Sequence, residues 1–272
     1  MSTTVPGPVG PLLREWRERR RMTQLDLALE AEVSTRHLSF VETGRARPSP
    51  QMLRLLADHL RIPLRERNSL FLAAGFAPDH PVRDIDNPDL QAARRAMDLI
   101  LTAHEPNPAV AIDRHWNLVA GNRMLAPFFE GVAAHLQHPP INVLRATLHP
   151  EGLAPRIANL HQWRAHLLAR LRRQIDLTAD PVLTALHDEL ATYPPGSPHP
   201  ARAADHEVPN FVVPLRLHDA NGTLSFLYTT TVFGTPLDVT LDELAIETFF
   251  PADAYTADAY TTDVCRRLAA GG

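Results

Sequence analysis

Over the first 76 positions, apolar residues recur at helical spacing and are cut by polar caps, glycine and proline at short intervals. Leu12, Leu13 and Trp16 fall on one side of a first helix, with Arg14, Arg17, Arg19, Arg20 and Arg21 around the rest. Thr23 is suited to accept a hydrogen bond from a free N–H at a helix start, and it predicts a second helix over 24–31, with Asp26 in the favourable first turn. Ser34 caps a third over 35–43, which Gly44 ends. Pro48-Ser49-Pro50 opens a fourth, with Leu53, Leu56, Ala57 and Leu60 at core spacing and Pro63 as its stop. A fifth runs over 64–74 and ends at Gly75.

Residues 78–89 are rich in Pro and Asp and lack apolar periodicity, which predicts a linker, followed by a helix over 90–103. Beyond Pro108 the period changes. Val110-Ala111-Ile112 and Leu118-Val119-Ala120 flank a turn at 113–115 and predict a hairpin. Helical patterns follow over 122–130, 155–175 and 181–192, then a proline-rich loop over 193–206. Three strands are predicted over 211–217, 224–233 and 244–250, the first pair joined by the turn residues Asp219-Ala220-Asn221-Gly222. Strands, then helices, then strands describe an antiparallel sheet with helices to one side. The tandem Ala-Asp-Ala-Tyr-Thr at 252–256 and 257–261 is too short for a solenoid and is read as local duplication near a frayed end. The expected organisation is a five-helix all-α domain over 1–76, a linker and connecting helix over 77–104, and an α+β domain over 105–272.

Charge sharpens this division. The net charge of −4 combines twelve Arg and eight acidic residues over 1–76 with fifteen Arg and twenty-three acidic residues beyond. The basic half suits an anionic partner and the acidic half should stay away from one. There is no run of about 18 apolar residues to span a membrane and no signal-peptide layout at the N-terminus, so a cytoplasmic location is expected. The single Cys265 excludes an internal disulfide framework.

The stretch from Met22 to Ser49 has the physics of a DNA reader. Leu25, Ala28 and Val33 give the first helix an inner face, and Leu38 and Val41 pin the second onto it. Thr35, Arg36, Ser39 and Phe40 are left outside, where the start of a helix can enter a major groove. Arg36 suits a bidentate pair with guanine, and Phe40 a thymine methyl. Gln24, at a helix start, and Arg45 and Arg47, in the following loop, suit phosphates, and Ser34 is a further candidate DNA contact. Thr23-Gln24-Leu25, Ala28, Val33-Ser34, Leu38-Ser39, Glu42-Thr43-Gly44 and Arg47-Pro48-Ser49 together resemble the XRE family of Cro/repressor-type helix-turn-helix domains over about 10–75. Glu32 departs from that family, which often places Gly in the turn where a left-handed backbone is wanted.

The second half carries a further resemblance. Asp113 to Asn122, Asn142-Val143-Leu144-Arg145 with Leu148-His149-Pro150, Trp163-Arg164, Leu168 to Arg172, and the late segments Phe233 to Thr240 and Glu247 to Ala252 are similar, in that order, to the MmyB-like, PAS-like ligand-binding domain. The resemblance implies a curled sheet over helices with an apolar pocket for a small hydrophobic molecule, a fatty acid being one candidate. Its expected walls are Val110, Trp116, Phe128, Phe129, Leu144, Trp163, Phe211, Val213, Phe226, Tyr228 and Phe250. Arg145 and Arg164 suit a ligand carboxylate, and Glu247, among apolar neighbours, is a candidate perturbed acid.

No nucleophile motif, phosphate-binding glycine loop or Cys pair marks an enzyme, and no cofactor is implied. His135 and His138, or His161 and His166, lack the companions of a metal site, so none is expected. The expectation is a dimeric transcription regulator. Two alternatives stay open: a C-terminal domain that docks a protein partner in the manner of an antitoxin or corepressor, and a DNA-tethered enzyme.

Overall fold

The computed structural model describes residues 8–196, 212–219 and 222–270, with side chains through residue 262. The chain divides into two compact units, one running to Asp84 and including Thr235–Asp242, the other formed by Ile85–Gly234 and the chain from Glu243 on.

The N-terminal part of the first unit holds, among the described residues, five helices: α1 (Val9–Arg19), α2 (Gln24–Glu30), α3 (Thr35–Glu42), α4 (Pro50–His59) and α5 (Leu64–Ala73). Their starts are set locally. The Thr23 hydroxyl accepts from the Asp26 N–H at 3.1 Å while the Asp26 carboxylate accepts from the Thr23 N–H at 2.7 Å, a reciprocal cap. Ser34 and Ser49 accept from the N–H groups of His37 and Met52. Leu13, Leu27, Leu38, Leu53, Leu56 and Leu60 are wholly buried at the centre. α1 starts three residues earlier than the apolar pattern marks, and its Gly10 lies flat on the end of α3. A Cβ there would come within 2.5 Å of the Glu42 carbonyl oxygen, so only glycine permits the approach. In the turn after α2, Glu32 takes the left-handed conformation at φ 52°, the conformation that favours glycine in the related family. The Val33 N–H closes this turn on the Ala28 carbonyl.

The second unit opens with α6 (Gln91–Ala103), then β1 (Ala109–Ile112), β2 (Leu118–Gly121) and α7 (Ala126–Phe129). Next come α8 (Val143–Leu148), α9 (Leu160–Thr178), α10 (Pro181–Thr192), β3 (Leu215–Asp219) and β4 (Gly222–Val232). α11 (Val239–Asp242) falls in the first unit, and β5 (Ala245–Pro251) and α12 (Ala254–Ala270) complete the chain. The five strands form one curled antiparallel sheet in the order β2-β1-β5-β4-β3. In α9, Trp163, Leu167, Leu171 and Ile175 recur every fourth residue and face the same core as Phe226 and Leu215 of the sheet.

α8, α11 and α12 differ from the sequence expectation, α11 being a single four-residue turn. α8 is six residues long, too short for a periodic signal, and is set by Asn142, whose side-chain oxygen caps the Arg145 N–H. The tandem repeat, expected as a frayed end, instead forms a helix that docks. Asp253 caps the Thr256 N–H at 2.7 Å, and the repeat places Thr256 and Tyr260, four apart, on one buried face. The Thr256 hydroxyl accepts from the Ser225 N–H of β4, and the Tyr260 hydroxyl donates to the Met124 carbonyl.

Candidate DNA-reading helix and ligand cavity

α3 buries Leu38, Val41 and Glu42. The opposite side of the helix carries Arg36, Ser39, Phe40 and Thr43, with Arg36 and Thr43 exposed. The Arg36 guanidinium lies 5.3 Å from the centre of the Phe40 ring, so Phe40 acts as a platform beneath the arginine. Arg45 and Arg47 are exposed in the loop that follows. Among the described residues no carboxylate pairs with Arg36, Arg45 or Arg47, whereas Arg14 and Arg19 of α1 are paired with Glu18 and Glu15. Unpaired arginine on the reading face is available to guanine and phosphate without first breaking an ion pair. Replacing Arg36 by Ala is expected to weaken binding to a selected operator by about 1–3 kcal/mol and to relax discrimination at one base position, read by quantitative binding to operator variants.

Two expected contacts are used internally. The Ser34 oxygen caps α3, and the Gln24 amide donates to a Glu42 carboxylate oxygen at 2.8 Å. That Glu42 is itself buried and accepts from Nε and a terminal nitrogen of Arg17, at 2.7 and 2.9 Å. Arg17 also donates to the Met22 carbonyl. Arg17 reads in the sequence as one of five arginines on a solvated face; its only marker is its place on the Leu13–Trp16 side of α1, which the structure buries.

In the second unit, Val110, Trp116, Phe128, Phe129, Leu144 and Trp163 meet around one cavity of about 80 Å³ that opens to solvent on one side. Leu125, Val143, Leu153, Leu167, Leu215 and Phe249 extend the apolar wall, and Glu247 and Thr147 are its polar exceptions. The remaining expected residues lie elsewhere. Phe226 is core, Tyr228 and Val213 pack beside it, and Phe250 is exposed with its ring against His104. Phe211 lies outside the described residues. Arg145 makes a two-point pair with Glu189, and Arg164 donates to the carbonyls of Leu190 and Ala191 at the end of α10.

Trp116 is held in an unfavourable backbone conformation, φ 67°, in the β1–β2 turn. The Asp113 carboxylate, accepting from the N–H groups of His115 and Asn117, fixes that turn, and the Trp116 indole donates to Gln174 at 2.8 Å. Over its ring, 4.5 Å away, sits Arg170, which pairs with Glu247. Trp163 is 4% exposed, and its indole N–H is buried with no partner among the described residues. Beside it, Nε2 of His166 meets the Tyr228 hydroxyl at 2.6 Å. Burial, then the charges of Arg170 and Arg173, push the His166 imidazole below its ordinary pKa, and burial pushes the Tyr228 phenol up.

Asp180, buried at the start of α10, is a second depressed group. Burial alone would raise it, but the hydrogen bonds from His115 and the Val182 N–H, with the Arg114 charge, outweigh that and hold it below the usual carboxylate range. Both groups bind protons more weakly in the folded chain than in the unfolded one, so acid destabilises the second unit. The His166 contribution is complete above about pH 6.5 and the Asp180 contribution above about pH 4, and each is lost as pH falls through its folded value. Melting measured against pH should therefore fall less steeply for His166→Asn below about pH 6.5, and for Asp180→Asn below about pH 4.

His135, His149 and Glu151 bring ligand atoms within 4.8 Å of one another. The Glu151 N–H already donates to Nδ1 of His149, which engages that nitrogen's lone pair.

One unit presents a helix with an exposed, unpaired arginine and the other an apolar cavity, as a DNA-binding protein with a ligand-binding domain requires. Residues 93–261 match the family described as the MmyB-like transcription regulator ligand binding domain, and the chain belongs to that family. Residues 13–67 match the helix-turn-helix family. The protein is thus a DNA-binding transcription regulator with a ligand-binding domain, and neither family is one of enzymes. None of the curated proteins compared is similar to the chain. Among solved structures it is similar to an RNA-binding light-oxygen-voltage receptor, at 14% identity and a TM-score of 0.23, with 95% of this chain covered. The match takes in 62% of the receptor's own length, and at this score it bears on neither fold nor function. Among the described residues no helix is long and apolar enough to cross a membrane.

Proposed function

We propose that the protein is a cytoplasmic, sequence-specific regulator that binds operator DNA as a homodimer and answers to a small hydrophobic ligand held in the second unit. The observation that carries this reading is the cavity. Among the described residues its wall is apolar on nearly every side, and the one ionisable group on it, Glu247, is paired with Arg170. Such a lining favours an uncharged or largely aliphatic occupant, held mainly by removal of its surface from water. The chain of a fatty acid suits this lining by its chemistry, with its carboxylate at the open side rather than beside Glu247. In a dimer, two copies of α3 would occupy half-sites about one DNA turn, roughly 34 Å, apart. Ligand would then act by binding one arrangement of the pair better than the other.

The test is mass spectrometry of the purified full chain, first under native conditions and then after denaturing extraction. A stoichiometric lipid-like mass is the expected result. A chain that carries no small molecule, and whose tryptophan fluorescence is unmoved by dodecanoate or dodecanol, would overturn the small-ligand reading and leave DNA binding untouched.

A further inference from the structure

The strands that wall the cavity are not joined by a free hairpin loop. β4 ends at Val232 and β5 begins at Ala245, and the intervening Thr235–Asp242 is part of the DNA-binding unit. Inside that unit the segment is clasped by the stretch that follows α5. The Val239 N–H donates to the Pro81 carbonyl at 3.0 Å, Arg83 pairs with Asp238 at 2.9 Å, and the Thr240 hydroxyl donates to the Arg83 carbonyl. Val239 is wholly buried and Asp238 is 4% exposed. The clasping stretch is in turn fastened to the helices. Asn68 of α5 and the backbone of His80 exchange two hydrogen bonds at 2.7 and 2.9 Å, and Arg54 of α4 forks onto Asp79.

Connections between paired strands normally run exposed and mobile. This one buries a valine and the carboxylate of a charge-assisted pair, which is unexpected of a mere linker. On the sheet side it starts from the end of the β4–β5 ladder. The register Thr230↔Glu247, Thr231↔Ile246, Val232↔Ala245 runs without a break from the cavity wall to the end of the ladder. Glu247 and Phe249 of β5 line the cavity.

We propose that the β4–β5 connection is the element through which the state of the cavity reaches the DNA-binding helices. The proposal rests on the ligand reading above. An occupant that displaces β5 displaces the ladder end at Val232 and Ala245, and with it the residues that Pro81 and Arg83 hold. Packed elements pass such shifts on as changes between discrete arrangements, because close packing leaves little room for gradual deformation.

The experiment is native-state hydrogen exchange on the full chain, without ligand. Thr147→Phe places a ring in the cavity and serves as a built-in occupant. It is compared with the unaltered chain, and the pair is measured again with the two side-chain bonds of the clasp removed by Asp238→Ala and Thr240→Val. With the clasp intact, the filled cavity should change exchange over residues 62–84 by about fivefold or more, the lower end of ordinary allosteric coupling. Without the clasp, the change over 62–84 should fall below about twofold while β5 still responds. Exchange over 62–84 that ignores the filled cavity in the intact chain overturns the proposal, as does an equal response with the clasp removed. Leu153→Ala, which enlarges the same cavity, gives the same two readings if the Phe variant does not fold. The bound-ligand measurement is separate: a chain that carries no small molecule but still relays Thr147→Phe keeps the clasp and loses only the ligand.

Discussion

Replacing Glu42 by Ala is expected to cost the DNA-binding unit about 3–5 kcal/mol, the usual consequence of removing one partner from a buried ion pair. The Glu42 side chain is 1% exposed and that of Arg17 is 9% exposed, so neither is rescued by water. Without the carboxylate, the guanidinium keeps one backbone acceptor, the Met22 carbonyl, and Gln24 loses its acceptor as well. The pair ties the middle of α1 to the end of α3, so its loss also frees the helix that carries Arg36. A domain of this size is held by only about 5–15 kcal/mol, and the variant should show protection from hydrogen exchange across α1–α5 reduced by two orders of magnitude or more. Replacing both partners together, Arg17→Met with Glu42→Leu, should recover most of the stability, since two apolar groups of similar volume bury without a desolvation cost. If Glu42→Ala alone leaves protection in α1–α5 unchanged, the pair does not hold this unit together.

That pair also shows where a sequence stops being readable. Three of the first unit's helices, α2, α3 and α4, announce themselves locally, through Thr23, Ser34 and Ser49 at their starts and apolar residues at helical spacing. The pairing of Arg17 with Glu42 joins residues 25 apart, on two helices whose charges look solvated, and nothing near either residue selects the other. The cavity divides the same way. Trp116, Phe128, Leu144 and Trp163 are legible because large apolar residues at strand or helix spacing must face a core, and the cavity is part of that core. The fate of a long arginine is decided by tertiary neighbours. Arg145 meets Glu189 of α10, Arg164 meets the carbonyls at that helix's end, and Arg170, which has no local marker, reaches the cavity's acid. The repeat that forms α12 was illegible for a third reason. Its alanines and threonines give little apolar contrast, and its face is defined by what Tyr260 and Thr256 find on the sheet.

Glu247 is where the second large effect is expected. It lies mid-strand in β5, between Val110 of β1 and Thr230 of β4, and is 7% exposed. Its partner Arg170 lies over the rings of Trp116 and Tyr228, at 4.5 and 5.5 Å. Glu247→Ala leaves this cation without its carboxylate against an apolar wall. The Arg170 side chain is 20% exposed and gains some relief from water, which puts the cost at about 3 kcal/mol, the low end for a broken buried pair. Glu247→Gln separates charge from shape, since an amide oxygen still accepts from Arg170 while the negative charge is gone. The cavity then has a net positive edge. Under the ligand reading, dodecanoate should bind the Gln variant about tenfold more tightly than the unaltered chain, a gain of roughly 1.4 kcal/mol, while dodecanol should be nearly indifferent. Tryptophan fluorescence, with Trp116 and Trp163 both on the wall, can follow each titration. A dodecanoate affinity that does not move with the charge at position 247 would mean that Glu247 is not what holds the carboxylate at the open side.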